Sequence, residues 1–317
     1  MPDNTADKAW VTFCMSTYKR PELLKNALDI ITKQTYKHFE VVISDNDPDC
    51  SAQPVVQGLK DNRLKYFSNG ENLGMIRSFN KSIERATTDY IVMITDDDPV
   101  SESFLEELFE IYKKDPGYSI YCGFKRKHTN AGDIEIIKRD DFIAEILDTT
   151  KTPAILWSSC VMKKQCVVDV GKMPDNGSPH LADHALIAMV GSMHGGVVIN
   201  KMYSIITLHD NNFSKFNFHY YTLGCKGFYE KMTAFCKNNI YFSKQKEVII
   251  RHVGKWFIVN MFNLKKFYTL KKNDEVLNQI DKCAEEIITM PFMRRFVPRF
   301  YAKRAVFNIK RKLNLLK

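Results

Sequence analysis

Several features that define other classes of protein are missing from this sequence of 317 residues. No apolar run approaches the roughly 18 residues that cross a bilayer. The polar residues 1–8 lack the apolar core of a signal peptide. The eight cysteines include no C-x-x-C pair and none has zinc-ligand spacing, so reduced thiols are expected. These absences favour a cytoplasmic protein without structural disulfides.

Three catalytic signatures are missing as well. There is no H-E-x-x-H zinc motif, and no Ser or Cys lies on a nucleophile elbow, which argues against a hydrolase that works through a covalent intermediate. The loop after the first predicted strand, residues 16–20, contains no glycine. A sugar-nucleotide pyrophosphorylase would need a glycine-rich phosphate loop there, so that class of enzyme is disfavoured.

The charge is unevenly distributed along the chain. The 46 basic and 37 acidic residues give a net charge of +9, but residues 217–317 alone hold 21 basic and 7 acidic residues. The remainder carries 25 basic and 30 acidic residues and is therefore mildly acidic. This asymmetry predicts two parts with different tasks, a catalytic domain at residues 1–215 and a basic helical region at residues 216–317.

Strands and helices alternate in the first part, with strands predicted at residues 10–15, 40–44, 64–67 and 90–94. Such alternation predicts an α/β fold, a mostly parallel Rossmann-like sheet with helices on both faces. Further strands are expected at residues 119–124 and 134–137, joined by a hairpin-like loop. A final hairpin is expected to pair residues 197–200 with residues 203–208.

Three consecutive carboxylates, Asp96, Asp97 and Asp98, follow the most apolar of these strands, at residues 90–94. The carboxyl end of a buried parallel strand is where open α/β sheets bind ligands. Adjacent carboxylates repel one another unless a cation lies between them, and oxygen ligands suit Mg²⁺ or Mn²⁺. The alternative is a solvated acidic turn.

The order and spacing of four loops resemble an inverting family-two glycosyltransferase of the GT-A fold, over roughly residues 9–214. The loops are residues 16–21 (Ser-Thr-Tyr-Lys-Arg-Pro), residues 45–48 (Asp-Asn-Asp-Pro), residues 69–74 (Asn-Gly-Glu-Asn-Leu-Gly) and the Asp96 turn. Asn46 stands where the family usually has a second Asp, Pro48 where it has Ser, and Lys19 where it has Asn. These departures leave the identity of the nucleotide open, with uridine or thymidine both compatible.

The resemblance assigns roles to individual residues. It implies that Asp45 accepts a hydrogen bond from the base of a nucleotide-sugar, and that the acids after Asp96 hold Mn²⁺ or Mg²⁺ on the diphosphate. The implied donor-binding residues are Thr17, Tyr18, Arg20, Asp45, Asn72, Arg77 and Asp96. The implied metal ligands are Asp97, Asp98 and His209, where His209 has a phosphate contact or an ordinary surface or core histidine as its alternatives.

The same resemblance makes Asp183 the general base, because the family carries a carboxylate at the head of a late helix. A base must lie within hydrogen-bond reach of the acceptor hydroxyl, opposite the departing diphosphate. The alternative is that Asp183 simply caps the helix, a role that Asp favours.

Residues 287–317 contain nine basic and no acidic residues, interleaved with aromatic and aliphatic ones. This composition is typical of an amphipathic helix that binds an anionic membrane surface, at the inner face of the cell membrane in this case. The alternatives are packing on the catalytic domain or on a second copy of the chain. No nucleic-acid-binding motif is present.

The function expected from these patterns is transfer of a sugar from a nucleotide-diphosphate donor, UDP being favoured, to a hydroxyl of a saccharide or lipid-linked oligosaccharide. Bacterial surface polysaccharide, such as lipopolysaccharide or capsule, is the implied product class. The alternative is an inactive membrane- or polysaccharide-binding module on a transferase fold.

Overall fold

The alternation of strands and helices builds one eight-stranded sheet in the computed structural model, which describes residues 8–205 and 217–316. The strands are β1 (Val11–Thr17), β2 (Phe39–Asp45), β3 (Leu64–Ser68), β4 (Tyr90–Ile94), β5 (Ile120–Gly123), β6 (Ile134–Ile137), β7 (Cys160–Lys163) and β8 (Gly196–Ile199). The helices that accompany them are α1 (Pro21–Ile31), α2 (Gln53–Gly58), α3 (Met75–Arg85), α4 (Phe104–Lys114), α5 (Arg139–Leu147), α6 (Lys164–Asp169) and α7 (Ala182–His194).

The sheet order is β3-β2-β1-β4-β7-β5-β8-β6, and its first four strands are all parallel. Every residue of β4 is buried, which explains why this strand reads as a continuous apolar run. The register pairs Thr17 of β1 with Asp45 of β2 and Met15 of β1 with Ile94 of β4. The loops after β1, β2 and β4 therefore leave the sheet at one edge. The predicted mostly parallel α/β fold is confirmed.

The second half of the sheet is mixed, and here two predicted hairpins are wrong. Strand β6 pairs antiparallel with β8 and not with β5, while β8 lies parallel to β5. Over residues 201–205, the part that is described after β8, the chain does not pair back onto that strand, and Ser204 instead forms an isolated bridge with Val100. Residues 206–208 of the predicted second hairpin lie outside the described residues. Pairing between strands distant in sequence cannot be read from local alternation, which fixes a strand but not its neighbour.

The chain forms two compact units, each built from two separate stretches of sequence. The sheet unit comprises residues 1–175 and 183–207, and the helical unit comprises residues 176–182 and 208–317. The short segment 176–182 thus belongs with the helices although it precedes α7 in the chain. The single domain boundary predicted at residue 215 does not account for the assignment of residues 176–182 to the helical unit.

The helical unit contains α8 (His219–Cys236), α9 (Phe242–Leu270), α10 (Asp274–Ile288) and α11 (Val297–Lys312), with a 3-10 turn at Pro291–Phe296 before α11. Its core includes aromatic side chains of the basic tail, because Phe300 stacks on Phe257 at 5.7 Å and Phe307 packs on Phe262 at 5.7 Å. These tail aromatics are buried and are not available as lipid anchors. None of the described helices is long and apolar enough to cross a bilayer.

The segment 176–182 is seated on a glycine pair of α8. A Cβ atom at Gly227 would lie 2.4 Å from the Cβ of Asn176, and one at Gly224 would lie 2.6 Å from the Cβ of His180. Such distances are too short for real side chains, so only glycine permits this close approach. Ser178 adds a hydrogen bond of 2.7 Å from its hydroxyl to the carbonyl oxygen of Tyr220.

Candidate active site

The carboxylate of Asp96 joins the loops after β1 and β4. The hydroxyl of Thr17, the last residue of β1, donates a hydrogen bond of 2.9 Å to Asp96 Oδ2. Arg20 approaches from the same loop, with its Nη1 3.4 Å from Asp96 Oδ1 and 3.5 Å from Asp97 Oδ2. The structure thus brings together four of the predicted residues, because neighbouring parallel strands end at the same edge.

Burial and pairing act in opposite directions on the acidity of Asp96. The side chain is 5% exposed, and loss of hydration raises its pKa above the usual value. The positive charge of Arg20 and the hydrogen bond from Thr17 both favour the charged form and limit the rise. Arg20 is therefore the charged partner that favours the ionised form of Asp96 against the effect of burial.

The turn after Asp96 offers oxygen ligands of the kind that a hard cation prefers. Asp97 is 15% exposed and Asp98 is half-buried, so both carboxylates lie close to the surface at the sheet edge. Within residues 8–205 and 217–316, no three His, Cys, Asp or Glu side chains converge as a metal site. Two carboxylates are a fitting partial set for Mg²⁺ or Mn²⁺, since such ions usually share their coordination sphere with phosphate oxygens. His209 lies outside the described residues.

Asp45 holds the loop after β2 in this structure, and the donor-reading role expected for it stays a prediction. Its side chain is fully buried, Oδ1 accepts the backbone N–H of Asp47 at 2.9 Å, and Oδ2 accepts the hydroxyl of Tyr66 at 2.9 Å. A carboxylate that reads a donor N–H needs an oxygen that the ligand can reach. In the described conformation, each oxygen of Asp45 accepts one hydrogen bond from the protein, so a donor would have to reach a remaining lone pair.

A polar network that the sequence did not single out orders the neighbouring loops. Asn69 donates through Nδ2 to Asn46 Oδ1 at 2.8 Å and to the hydroxyl of Ser78 at 3.2 Å. Ser78, in the first turns of α3, also accepts a hydrogen bond of 2.7 Å from the hydroxyl of Ser16. The start of α3 is thereby fixed against the carboxyl ends of β1 and β2. Only the abundance of Asn and Ser beside the strand ends hinted at this network.

The residues predicted on the Asn-Gly loop lie at the surface. Asn72 is exposed and its Oδ1 accepts the backbone N–H of Gly74 at 3.0 Å, which closes the turn before α3. Gly74 itself has φ of 79°, a conformation that glycine adopts at little cost.

Tyr18, on the loop after β1, is 42% exposed, with the Lys19 ammonium 5.7 Å from its ring centre. Tyr18 can therefore offer an aromatic face to a ligand.

Arg77 lies in the first turn of α3 and pairs with Asp175, a partner that no local sequence pattern indicates. Its Nε donates to Asp175 Oδ2 at 3.0 Å. The guanidinium is 71% exposed. Asp175 is 98 residues away in sequence, within a loop whose conformation is set by tertiary contacts alone.

Asp183 lies in the first turn of α7, which begins at Ala182. Its negative charge contributes to raising the pKa of the Cys160 thiol, after burial and the neighbouring Cys122. Cys160 is the first residue of β7, and β7 runs antiparallel to β4, with Lys163 opposite Tyr90 and Met162 opposite Ile91. The start of β7 is therefore at the carboxyl end of β4, the end that carries the aspartate turn.

His184 follows Asp183, with Nε2 3.8 Å from Asp183 Oδ2. Burial lowers the pKa of His184 to about 4, so the imidazole is neutral at pH 7 and the two do not form an ion pair. The Asp183 carboxylate is 28% exposed. It is thus accessible to a ligand, as a general base must be.

Comparison with known proteins supports the interpretation of this edge. Residues 12–164 match the model of Glycosyl transferase family 2, and the match spans both loops that meet at Asp96. Over residues 12–164 the chain is therefore similar to family 2 glycosyltransferases, and its sheet unit has the GT-A fold.

Among sequence relatives, the chain is 28% identical over 144 residues to GalNAc(5)-diNAcBac-PP-undecaprenol β-1,3-glucosyltransferase of Campylobacter jejuni, covering 41% of this chain and 46% of that protein. It is 25% identical over 184 residues to poly-β-1,6-N-acetyl-D-glucosamine synthase of Staphylococcus aureus, covering 54% of this chain and 43% of that protein. The chain thus matches less than half the length of these curated relatives.

Among solved structures, residues 1–349 of TarS from Staphylococcus aureus superpose with a TM-score of 0.58 at 13% identity, covering 91% of each chain. The mannosyltransferase of Pyrobaculum calidifontis in complex with GDP-Man and Mn²⁺ gives a TM-score of 0.56 at 15% identity, covering 98% of this chain and 87% of that one. These similarities extend beyond the sheet unit and support the fold.

Proposed function

We propose that this chain is a metal-dependent inverting glycosyltransferase, which moves a sugar from a nucleotide-diphosphate donor to a hydroxyl group of a saccharide or lipid-linked saccharide. The observation that carries the proposal is the cluster of Thr17, Arg20, Asp96 and Asp97 at the carboxyl ends of β1 and β4. It lies within the family 2 match over residues 12–164. The proposed base, Asp183, exerts its charge on Cys160 at the start of β7, the strand that runs beside β4.

The proposal assigns donor binding and metal binding to different residues of the site. Thr17, Tyr18, Asn72 and the paired Arg20 and Asp96 would bind the donor, and Arg77 would contact its diphosphate. A divalent cation held by Asp97 and Asp98 would neutralise charge on the departing diphosphate. His209 stays a predicted further ligand.

Asp183 would accept the proton of the acceptor hydroxyl while the hydroxyl oxygen attacks the anomeric carbon. The bond from that carbon to the diphosphate oxygen breaks on the opposite face, and the electron pair leaves with the nucleotide. Attack opposite the leaving group inverts the anomeric centre.

Substrate class is proposed from the relatives and neighbours. One structure of TarS residues 1–349 contains UDP-GlcNAc, while the mannosyltransferase neighbour contains GDP-Man. A UDP-sugar is the favoured donor for this chain. The Campylobacter relative is named for a polyprenol-linked saccharide and the Staphylococcus relative for a polysaccharide. A role in the synthesis of bacterial surface polysaccharide accords with both names.

Membrane association is part of the proposal, in a narrower form than the sequence suggested. With Phe300 and Phe307 buried, the exposed apolar side chains of the tail include Val306, Ile309 and Leu313, at 52%, 57% and 61% exposure, besides Tyr301 and Leu315. The spacing of Val306, Ile309 and Leu313, three and four residues, places them on one side of the chain at α11. Lys303, Lys310 and Lys312 flank them. We propose that this stripe meets an anionic membrane from the cytoplasmic side.

The decisive experiment is a hydrolysis screen over UDP-, GDP- and dTDP-sugars, each with MnCl₂, because slow donor hydrolysis identifies the donor without the acceptor. Release of nucleotide from at least one sugar is expected, and EDTA is expected to abolish it. Metal-dependent binding of UDP without turnover of any donor or transfer to any acceptor would favour the alternative, an inactive binding module.

A further inference from the structure

Three side chains on one face of α3 hold the loop that runs from Lys172 to Asp175. Lys172 pairs with Glu84 in the last turn of the helix. Asn80 pairs with the backbone of Met173, and Arg77 with Asp175. Residues 77, 80 and 84 are three and four positions apart and therefore share one helical face. The loop lies along α3 from its carboxyl end to its amino end.

The contact at Asn80 is reciprocal. Its Nδ2 donates to the carbonyl oxygen of Met173 at 3.0 Å, and its Oδ1 accepts the backbone N–H of the same residue at 3.0 Å. An amide that satisfies both backbone groups of one residue fixes the position and the orientation of that peptide. Met173 is itself buried, with 1% of its surface exposed. Because the peptide of Met173 is fixed, the position of Asp175, two residues further along the chain, is restricted as well.

From that point Asp175 engages only one edge of the Arg77 guanidinium. Among the described residues, the hydrogen bonds of the Arg77 side chain are confined to Nε, which donates to Asp175 Oδ2. The two terminal nitrogens, Nη1 and Nη2, form the fork that binds phosphate oxygens in a bidentate manner. A long side chain that is 71% exposed would otherwise sample many rotamers before binding an anion.

The surroundings of Arg77 suit an anion. It lies in the first turn of α3, where the backbone N–H groups and the helix dipole favour negative charge. Ser78, its neighbour, is bonded to Ser16 at the end of β1, one residue before Thr17. The first turn of α3, which carries Arg77, thus lies at the strand ends where the donor is proposed to bind.

We infer that Asp175 is a positioning residue for the donor diphosphate, which it serves by holding Nε of Arg77 so that Nη1 and Nη2 are preoriented toward the phosphates. Asn80 supports this by fixing the peptide of Met173. The inference rests on the proposed function. It adds two residues to the proposed donor site, Asp175 and Asn80, which act through Arg77 and do not contact the donor themselves.

The test compares Asp175→Ala, Asn80→Ala and Arg77→Ala with a control, Glu84→Gln. The control removes the ion pair of Glu84 with Lys172, at the far end of the same loop from Asp175. The probes are UDP, GDP and dTDP with MnCl₂, measured by calorimetry, and the nucleosides uridine, guanosine and thymidine, measured by ligand-observed NMR. Asp175→Ala is expected to weaken binding of the diphosphate about five- to tenfold, since a charge-assisted contact loses its preorganisation. Binding of the nucleoside is expected to be unchanged, because the nucleoside has no phosphate.

Two further comparisons separate orientation from general folding. In the Arg77→Ala background, Asp175→Ala is expected to have no further effect on the affinity for diphosphate, because the side chain it orients is gone. In donor hydrolysis, Asp175→Ala is expected to raise KM while kcat changes little, and Glu84→Gln is expected to leave both near wild type. Equal losses for nucleoside and diphosphate, or tighter diphosphate binding after Asp175→Ala, would overturn the inference.

Failure of the proposed function would look different. A wild-type protein that binds none of the three diphosphates and hydrolyses no nucleotide-sugar would remove the donor site itself. If the wild type binds a diphosphate and Arg77→Ala weakens that binding while Asp175→Ala does not, only the role of Asp175 is wrong.

Discussion

The hydroxyl of Thr17 donates a hydrogen bond of 2.9 Å to the buried carboxylate of Asp96, across 79 residues of sequence. This bond joins the loops that follow β1 and β4, and Arg20 adds its positive charge to the same carboxylate. The two loops therefore form a single site whose geometry depends on contacts between strands.

Thr17→Val keeps the shape of the side chain but removes its donor. Loss of one hydrogen bond to a buried carboxylate is expected to lower the free energy of unfolding by about 1–3 kcal/mol and donor hydrolysis by about tenfold. Thr12→Val on the same strand is the control, since it breaks the buried bond of 2.7 Å to Thr88 away from the site. Urea denaturation and hydrolysis rates would measure both effects. Equal activities in the two variants would show that the hydrogen bond from Thr17 to Asp96 does not contribute to the reaction.

Metal-dependent binding of the nucleotide is expected to depend on the two carboxylates after Asp96, those of Asp97 and Asp98. Asp97→Asn and Asp98→Asn each remove one negative charge from the proposed oxygen ligands, so Mn²⁺-dependent binding of nucleoside diphosphate is expected to weaken about tenfold or more. Asp49→Asn is the control, because Asp49 is an exposed acid on the loop after β2. Calorimetry with and without EDTA gives the measurement. Unchanged binding in the double variant would contradict the proposed metal site.

Asp183→Asn preserves the size of the side chain but removes its basicity. Loss of a general base is expected to lower kcat by about 10²–10⁴-fold while leaving affinity for the diphosphate nearly unchanged. Transfer or hydrolysis rates, together with calorimetry, separate these effects. A variant with normal kcat would show that Asp183 has only a structural role in the first turn of α7.

Stability is expected to fall between pH 6.5 and pH 4 because of buried histidines. Burial lowers the pKa of both His184 and His180 to about 4, against 6.5 for an exposed imidazole. In that range the unfolded chain binds more protons than the folded one, so the stabilisation is complete above pH 6.5 and is lost as the pH falls to 4. His184→Gln is expected to show a smaller difference between urea midpoints at pH 7 and pH 5. An identical difference in the wild type and the variant would show that His184 does not titrate in this way.

Binding to anionic vesicles is expected to depend on the exposed stripe of α11. Val306→Glu with Ile309→Glu places two negative charges on that face and is expected to reduce sedimentation with phosphatidylglycerol vesicles about tenfold or more. Ile136→Glu is the control, since Ile136 is a 59% exposed apolar residue on β6. Neutral phosphatidylcholine vesicles are expected to bind less in every case. Equal sedimentation of the wild type and the double variant would leave the stripe without a membrane role.

The parts of the site that follow strand ends could be predicted from the sequence, because local patterns carry the information. A buried parallel strand followed by polar residues places Thr17 and Asp96 at one edge, and the structure brings them into contact. Asp45 satisfies the same pattern, yet it is buried and bonded to Tyr66 and to the backbone of Asp47. Strand position alone does not tell which side of a loop a side chain faces.

The remaining features depend on contacts between residues that are far apart in sequence. Asp175 reaches Arg77 because Asn80 fixes Met173, and no pattern within the loop encodes that position. The aromatic residues of the tail show the same limit, since an amphipathic basic helix looks alike whether its rings meet lipid or protein. The burial of Phe300 and Phe307 was decided by α9, which supplies Phe257 and Phe262.

The excursion of residues 176–182 into the helical unit has a practical consequence for protein engineering. Each unit is composed of two separate stretches of chain, so a single cut cannot release either one whole. A fragment that stops near residue 215 would keep Asn176 and His180 but lose Gly224 and Gly227, against which they are seated. Chimeras that exchange the carboxyl-terminal part must therefore transplant residues 176–182 along with it.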